Sequence, residues 1–222
     1  MRGINFEAEL EHKLEALEAR PEIAFEKDFL RWMLSDGAGA VLLEREPRGP
    51  LSLRVEWIEL SSAAHELPVC MYAGADKNAQ GGLDGWARTS PADWQRDSTF
   101  AVKQDVRLLN DNIVRATLAE PLAAIIERRG LKTDDIDWFL PHLSSHYFVE
   151  PVAASLAALG LPIPRERWFS NLATKGNTGS ASPYIMLDEL FRSGRIKPGQ
   201  KLLMFVPESG RFSSGFIYLE AV

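Results

Sequence analysis

The chain has 222 residues, 45% of them hydrophobic, and a formal net charge of −6 at pH 7. This size and apolar content suffice for a substantial core, in one large domain or two tightly joined halves. The negative charge argues against a nucleic-acid surface. The sequence contains no run of about 18 apolar residues, so it predicts no membrane span. The single cysteine, Cys70, excludes an internal disulfide framework and is typical of a cytoplasmic protein.

The first hundred residues predict a mixture of helix, strand and loop. Residues 6–20 have the spacing of a Glu-rich amphipathic helix, and the apolar run Ala40–Leu43 after two glycines predicts a buried strand. Residues 51–60 alternate like a half-buried strand. From residue 61 to about residue 98 the pattern breaks down, which predicts a long irregular excursion whose two tryptophans indicate packing.

The rest of the chain alternates helix and strand. Residues 103–129 predict a long helix that is kinked or split before Pro121. This alternation predicts an α/β layered fold with a mainly parallel sheet. The further elements are strands at Ile136–Leu140, Trp168–Leu172, Lys201–Val206 and Phe216–Leu219, and helices at Val149–Leu159 and Ser180–Arg192.

Two polar residues follow predicted strands. His142 comes directly after a strand and a proline, and catalytic groups of α/β folds collect at the carboxyl ends of strands, although a structural histidine is the alternative. Asn177 lies between Gly176 and Thr178 and is either a helix cap or a site residue. Imidazole and carboxamide N–H groups can both donate to a developing oxyanion, where losing one donor typically costs about 3 kcal/mol.

Four segments together resemble the β-ketoacyl-acyl-carrier-protein synthase III family, in that family's order. They are Asp36–Glu44 (DGAGAVLLE), Asp137–His142 (DWFLPH), Asn171–Ser182 (NLATKGNTGSAS) and Leu187–Gly199 (LDELFRSGRIKPG). The resemblance covers roughly residues 30–222 and implies a thiolase-like layered α-β-α fold. It further implies that residues 1–60 form the end of the N-terminal half with a helical extension, residues 61–100 an irregular insertion, and residues 101–222 the C-terminal half.

The resemblance also implies a Cys–His–Asn catalytic set. His142 matches the histidine of the family's Pro-His motif, and Asn177 matches the asparagine of its Gly-Asn-Thr motif. The family cysteine lies upstream of the Asp36–Glu44 segment, so it is expected on a missing segment or a separate chain. Cys70 lies downstream and no helical pattern starts after it, so it is interpreted as a small buried or loop residue. Ser209 and Gly210 replace part of the family's Gly-rich loop and are the expected substrate-binding residues.

The expected function is acyl-thioester condensation or acyl transfer, with acyl-CoA or acyl-carrier-protein thioesters as substrates and with no metal or cofactor. The alternatives are a non-catalytic partner subunit of a condensing enzyme and a free-standing thioester-binding module. The expected partners are the missing N-terminal segment or a partner chain, in a homodimer or heterodimer.

Overall fold

The computed structural model describes residue 30, residues 32–78 and residues 80–222, apart from the side chains of Gln95 and Arg96. The helix predicted for residues 6–20 lies outside them. Within the described residues, no helix is long and apolar enough to cross a membrane.

The described residues contain a larger sheet, two small sheets and helices of both regular and tight geometry. The strands are β1 (Leu53–Ser62), β2 (Met71–Tyr72), β3 (Ala75–Lys77), β4 (Leu83–Gly85), β5 (Lys103–Gln104), β6 (Trp138–Pro141), β7 (Lys201–Glu208) and β8 (Ser213–Ala221). The α-helices are α1 (Pro91–Arg96), α2 (Val106–Val114), α3 (Glu120–Arg129), α4 (Val149–Ala158), α5 (Leu172–Lys175) and α6 (Ser182–Arg192). A π-helical segment covers Arg115–Ala119, and 3₁₀ turns cover Trp86–Arg88, Thr133–Asp135, His146–Phe148, Arg165–Arg167 and Gly179–Ala181.

The larger sheet has the strand order β1-β8-β7-β6. Only β6 and β7 are parallel, whereas β8 is antiparallel to both of its neighbours. The prediction of a mainly parallel sheet is therefore wrong for this part of the chain. The reason is the short turn between β7 and β8, because two strands joined by a few residues pair antiparallel.

Helices cover both faces of this sheet. On one face Phe139, Leu203 and Phe216 pack with apolar residues of the π segment, α3 and α4. On the other face Leu140 and Met204 pack with residues of α6. Alternate residues of each strand therefore point into different cores, as the period of a strand requires. The predicted α-β-α layering is confirmed.

The predicted split in the long helix over residues 103–129 takes the form of a π turn. Asp105 caps α2 through a 2.9 Å hydrogen bond from the Leu108 N–H. In the π segment the Glu120 N–H bonds to the Arg115 carbonyl, five residues back, and Pro121 follows in the first turn of α3. The proline lacks an N–H, so it fits the first turn of the new helix.

Two predicted strands do not form as expected. Residues 40–43 have no strand partner in the described structure, and the side chains of Leu42 and Leu43 are 80% and 75% exposed. The predicted strand is therefore absent from this segment, and the described residues do not supply the neighbours that would bury it. For Trp168–Leu172 only one parallel bridge forms, between Trp168 and Phe139, because the chain leaves the sheet to begin α5 at Leu172.

The excursion after residue 61 holds short ordered elements. β2 pairs with β5 and β3 pairs with β4. The rings of Trp86, Trp94 and Phe100 lie 5.5–6.0 Å apart, which confirms that the tryptophans pack. The predicted domain boundaries stay a prediction, although β1 spans residue 60 and pairs with β8 over its whole length.

Candidate active site

His142 stands at the carboxyl end of β6. Pro141 pairs with Phe205 of the parallel strand β7, and the His142 N–H donates to the Phe205 carbonyl at 2.8 Å. The backbone of the histidine thus extends the ladder by one residue. Its side chain leaves the sheet where two parallel strands end, the usual location of ligand sites in α/β proteins.

Asn177 reaches the same place from the loop between α5 and α6. Its carbonyl accepts the Ser35 N–H at 2.8 Å, within an isolated parallel bridge between Leu34 and Asn177. Its side-chain Oδ1 accepts the Gly179 N–H at 3.2 Å. Since the oxygen is engaged, the Nδ2 group is the part of the side chain that remains to donate to a ligand.

Glycines allow the Asp36–Glu44 segment to lie against this loop. A Cβ added at Gly37 would come within 2.7 Å of the Thr178 Cβ, and one added at Gly39 would overlap Tyr184. Gly176 has φ of 74° and lies against Ser35. The glycines in the opening motif and in the Asn177 loop therefore serve close backbone approach, which fixes Asn177 between two segments.

His142 and Asn177 line one cavity of about 230 Å³. Both side chains are buried, at 7% and 6% exposure. Ser209, at the start of the turn after β7, also lines the cavity. Three of the four site residues predicted from the sequence therefore line the same cavity. Gly210 is the exception.

Burial keeps the imidazole of His142 neutral. Loss of solvation lowers its pKa from 6.5 to about 4. Its Nδ1 atom is buried and has no hydrogen-bond partner among the described residues. A neutral imidazole has one N–H donor and one acceptor nitrogen. The ring can therefore donate a hydrogen bond at neutral pH without carrying a charge.

The turn after β7 is held by Glu208. Its carboxylate accepts the N–H of Gly210 and, at 3.1 Å, the N–H of Arg211. The Gly210 N–H is thus already engaged and could donate to a substrate only if Glu208 moved. The Ser209 hydroxyl accepts a 3.3 Å hydrogen bond from the Gln104 side chain and remains at the cavity wall.

Cys70 is a buried thiol outside this cavity wall. It is fully buried and packs with Phe212 and Ala116. Burial, together with the negative charge of Asp105, raises its pKa to about 11. The thiolate is the nucleophilic form of cysteine, so this environment suppresses nucleophilic reactivity. The interpretation of Cys70 as a small buried residue is consistent with this placement.

Sequence reasoning missed the apolar wall of the cavity. This wall includes Leu109, Ile113, Val114, Leu118, Phe148 and Val152. In the sequence these residues are part of ordinary helical periodicity, which cannot distinguish a cavity wall from a packed core. The one available signal was the proline at residue 121, which marks the irregular helix around the π segment.

Comparison with known proteins gives the same family as the motifs. Residues 126–218 match the family described as 3-Oxoacyl-[acyl-carrier-protein (ACP)] synthase III C terminal. Over this part of its length, the chain is similar to the synthase III family. A β-ketoacyl-[acyl-carrier-protein] synthase III of Xanthomonas campestris pv. campestris is 32% identical over 193 residues, which are 86% of this chain and 50% of the relative. A β-ketoacyl-[acyl-carrier-protein] synthase III of Coxiella burnetii is 29% identical over 175 residues, which are 78% of this chain and 46% of the relative.

Solved structures show that the synthase III-like chain has the thiolase-like fold. The 3-oxoacyl-[acyl-carrier-protein] synthase III from Aquifex aeolicus VF5 has 21% identity and a TM-score of 0.50, over 78% of this chain and 46% of that one. AbyA1, a tetronic acid condensing enzyme, has 17% identity and a TM-score of 0.56, over 76% of this chain and 45% of that one. The chain spans about half the length of the curated relatives it matches.

Proposed function

We propose that the protein containing this chain is an acyltransferase that condenses acyl thioesters, with His142 and Asn177 as its electrophilic pair. The observation that carries the proposal is that both buried side chains line one cavity. The curated relatives named above are β-ketoacyl-[acyl-carrier-protein] synthases III, which supports this reaction class. An acyl-CoA or acyl-carrier-protein thioester would be the substrate.

The proposed chemistry is stabilisation of negative charge on a thioester oxygen. When a malonyl thioester loses CO₂, the electrons of the broken C–C bond delocalise onto the thioester oxygen. An N–H of neutral His142 and the Nδ2–H of Asn177 would donate to that oxygen in a site where water is largely excluded. Ser209 would contribute to substrate binding at the same wall, and Gly210 could join it only after release from Glu208.

The nucleophile that first takes up the acyl group would be a cysteine outside these 222 residues. Cys70 is the only cysteine in the sequence, and burial raises its pKa to about 11. It would be a poor acyl acceptor at neutral pH, because only about one thiol in ten thousand would be ionised there. A reactive cysteine in this reaction would come from an upstream segment or a partner chain.

Substitution of the pair tests the proposal. In the protein that includes the nucleophilic cysteine, His142→Ala and Asn177→Ala should each lower the condensation rate roughly 100-fold or more, since each removes an oxyanion donor. The double variant should lose less than the product of the two effects, because both groups act on one charge. The measurement is single-turnover condensation, with Ser145→Ala as a control outside the cavity wall.

A non-catalytic partner subunit is the second candidate, and the inert Cys70 favours it. Under that function the His142 and Asn177 variants would leave the turnover of the active subunit unchanged. Mass spectrometry of the 222-residue chain after incubation with an acyl thioester should show no adduct. A stoichiometric adduct on Cys70 would make Cys70 the nucleophile, which would overturn both the partner-subunit candidate and the assignment of the nucleophile to a cysteine outside the chain.

A further inference from the structure

Glu208 brings a negative charge to the cavity. It is the last residue of β7, and it is the only residue with a carboxylate among the described residues that line the cavity. His142 and Asn177 are uncharged at neutral pH, and no lysine or arginine is among these lining residues. Glu208 is also exposed, so its carboxylate stands where the cavity meets solvent. It is therefore the group in this cavity that is best suited to accept a proton.

Two backbone N–H groups hold the Glu208 carboxylate. One oxygen accepts the N–H of Gly210, and the other accepts the N–H of Arg211 at 3.1 Å. Consecutive backbone N–H groups that point to one place form a small anion-binding site. A carboxylate has about four lone-pair positions, so after these two hydrogen bonds each oxygen keeps a position that can accept a proton. The Gly210 N–H thus holds a carboxylate and does not face the substrate.

The turn that carries Glu208 is fixed by the residues packed around it. The Gly210 carbonyl accepts the Cys70 N–H at 2.9 Å, and the Phe212 carbonyl accepts the Ala63 N–H at 3.0 Å. Phe212 is fully buried and has φ of 52°, a left-handed value that residues other than glycine rarely adopt. Such a backbone persists where the surroundings enforce it, and it is frequent at active sites. The turn therefore holds one conformation, which a positioned base requires.

Glu208 and His142 project from the same face of the larger sheet. Pro141 pairs with Phe205 in the parallel ladder, so continuing that register places His142 beside Val206. Side chains alternate along a strand, so Val206 and Glu208 share a face, which is also the face of His142. Neighbouring strands lie about 4.8 Å apart and each residue rises about 3.3 Å, so the Cα atoms of His142 and Glu208 are roughly 8 Å apart. A thioester fits between two side chains at that separation, with its oxygen at His142 and its α-carbon at Glu208.

We propose that Glu208 is a general base, which removes a proton from the α-carbon of the acyl thioester that becomes the carbon nucleophile. The substrate class is then an acyl thioester without an α-carboxyl group, because no CO₂ has to leave. The inference rests on the proposed function, since N–H groups of His142 and Asn177 stabilise the enolate oxygen that the loss of the proton creates. The His142 nitrogen that donates to this oxygen cannot at the same time accept the proton, so the step needs a second group.

The step balances without a further reactant. The C–H bond at the α-carbon breaks, the proton goes to a Glu208 oxygen, and the electron pair of the bond delocalises onto the thioester oxygen. The α-carbon then forms a C–C bond to the carbonyl carbon of the acyl group on the nucleophilic cysteine. The C–S bond to that cysteine breaks, and the leaving sulfur takes the proton from Glu208, which restores the carboxylate. The product is a β-ketoacyl thioester, and no CO₂ is released.

Hydrogen exchange at the α-carbon tests the inference without condensation. The protein that includes the nucleophilic cysteine is incubated in D₂O with butanoyl-CoA, and mass spectrometry follows deuterium at the α-carbon. Glu208→Gln removes the proton acceptor but keeps an oxygen for the turn, so it should lower exchange roughly 100-fold or more. Decarboxylation of malonyl-CoA should fall much less, because loss of CO₂ needs no base. Added formate should restore part of the exchange in Glu208→Ala, since a small carboxylate can occupy the space of the missing one.

Glu150→Gln is the matched control. The Glu150 side chain on α4 is 87% exposed and does not line the cavity, so exchange should be unchanged. Exchange that is absent from the unsubstituted protein, that survives Glu208→Gln, or that falls there only as much as decarboxylation does would overturn the inference. If thermal melts show that Glu208→Gln does not fold, Glu208→Asp decides, because its carboxylate is set back by one methylene and should lower exchange roughly tenfold, more than decarboxylation. Failure of the proposed function shows separately, as His142→Ala and Asn177→Ala variants without effect on condensation.

Discussion

His142 combines two properties that usually conflict. Its side chain is buried at the end of β6, and yet its polar Nδ1 atom has no hydrogen-bond partner among the described residues. An unpartnered buried polar atom costs about 1–3 kcal/mol. A ligand that supplied a hydrogen bond would recover part of that cost. The unpartnered Nδ1 atom is therefore better explained by a binding role than by stability.

The buried histidine should make stability depend on pH. In the unfolded chain a histidine binds its proton near pH 6.5, whereas burial lowers the pKa of folded His142 to about 4. Between these values the unfolded state holds more protons, so stability is full above pH 6.5 and is lost as the pH falls towards 4. Between pH 7.5 and pH 5 the loss attributable to His142 should be about 2 kcal/mol.

Urea unfolding at pH 7.5 and pH 5 measures this loss, with His142→Gln as the comparison. The glutamine cannot take up a proton. Between pH 7.5 and pH 5 the free energy of unfolding of the variant should therefore fall by about 2 kcal/mol less than that of the unsubstituted protein. Asp105 and Glu59 do not interfere strongly, because the lowered pKa of each carboxyl places its titration below this range. An equal pH dependence in both proteins would contradict a buried neutral histidine.

At the scale of elements, the sequence predicted the positions of the main strands and helices well, and the pairing of the strands poorly. The two long C-terminal strands and the helices around residues 149–192 follow from periodicity and from Gly160 and Gly194, both of which have positive φ. Which strands pair is decided by contacts distant in the sequence. The periodicity of residues 51–60 predicts a strand but could not predict that β8 would be its partner.

The misassigned segment at Ala40–Leu43 shows the limit of composition. An apolar run indicates a preference for burial, but burial needs a surface to cover it. Within the described residues no strand pairs with it. For the candidate site, the position of His142 and Asn177 was predictable because each follows the end of an element, whereas the cavity wall on α2 and α4 was not.

Gly39 offers a test of how the Asp36–Glu44 segment is held. Its missing side chain lets the backbone contact Tyr184 on α6. Gly39→Ala should therefore lower the free energy of unfolding by about 1–3 kcal/mol, as overpacking usually does. Gly85→Ala is the control, because a Cβ there meets nothing within 4 Å and should be neutral or stabilising by up to about 1 kcal/mol. Denaturant unfolding distinguishes the two, and equal effects would show that the contact is not tight.

At the scale of the whole molecule, the chain presents large apolar side chains to solvent. Trp32, Leu42, Leu43 and Leu60 are each at least 75% exposed. Leu60 lies on β1, which is an edge strand of the larger sheet. Exposed apolar groups and unpaired sheet edges favour association with another surface. The homodimer or heterodimer expected from the sequence remains a prediction that this surface supports.

Self-association of the 222-residue chain should follow from this surface. When the chain is produced by itself, sedimentation velocity at micromolar concentration should show dimers or larger species. Leu42→Ser combined with Leu43→Ser should shift the distribution towards monomer, because it removes apolar area from the exposed segment. Tyr147→Ser, at a 65% exposed residue elsewhere, should change it less. A concentration-independent monomer with a cooperative melt would contradict the expectation.

The ladder between β1 and β8 has a consequence for the order of events during synthesis. Ser62 of β1 pairs with Ser213 of β8, and Leu53 pairs with Ala221. The two strands are thus separated by most of the described chain, and at about 5–20 residues per second a ribosome needs roughly 8–30 seconds to go from one to the other. During that interval the exposed valine, isoleucine and leucine of β1 have no β8 to pair with. The nascent chain would therefore benefit from a chaperone until its last strand is complete.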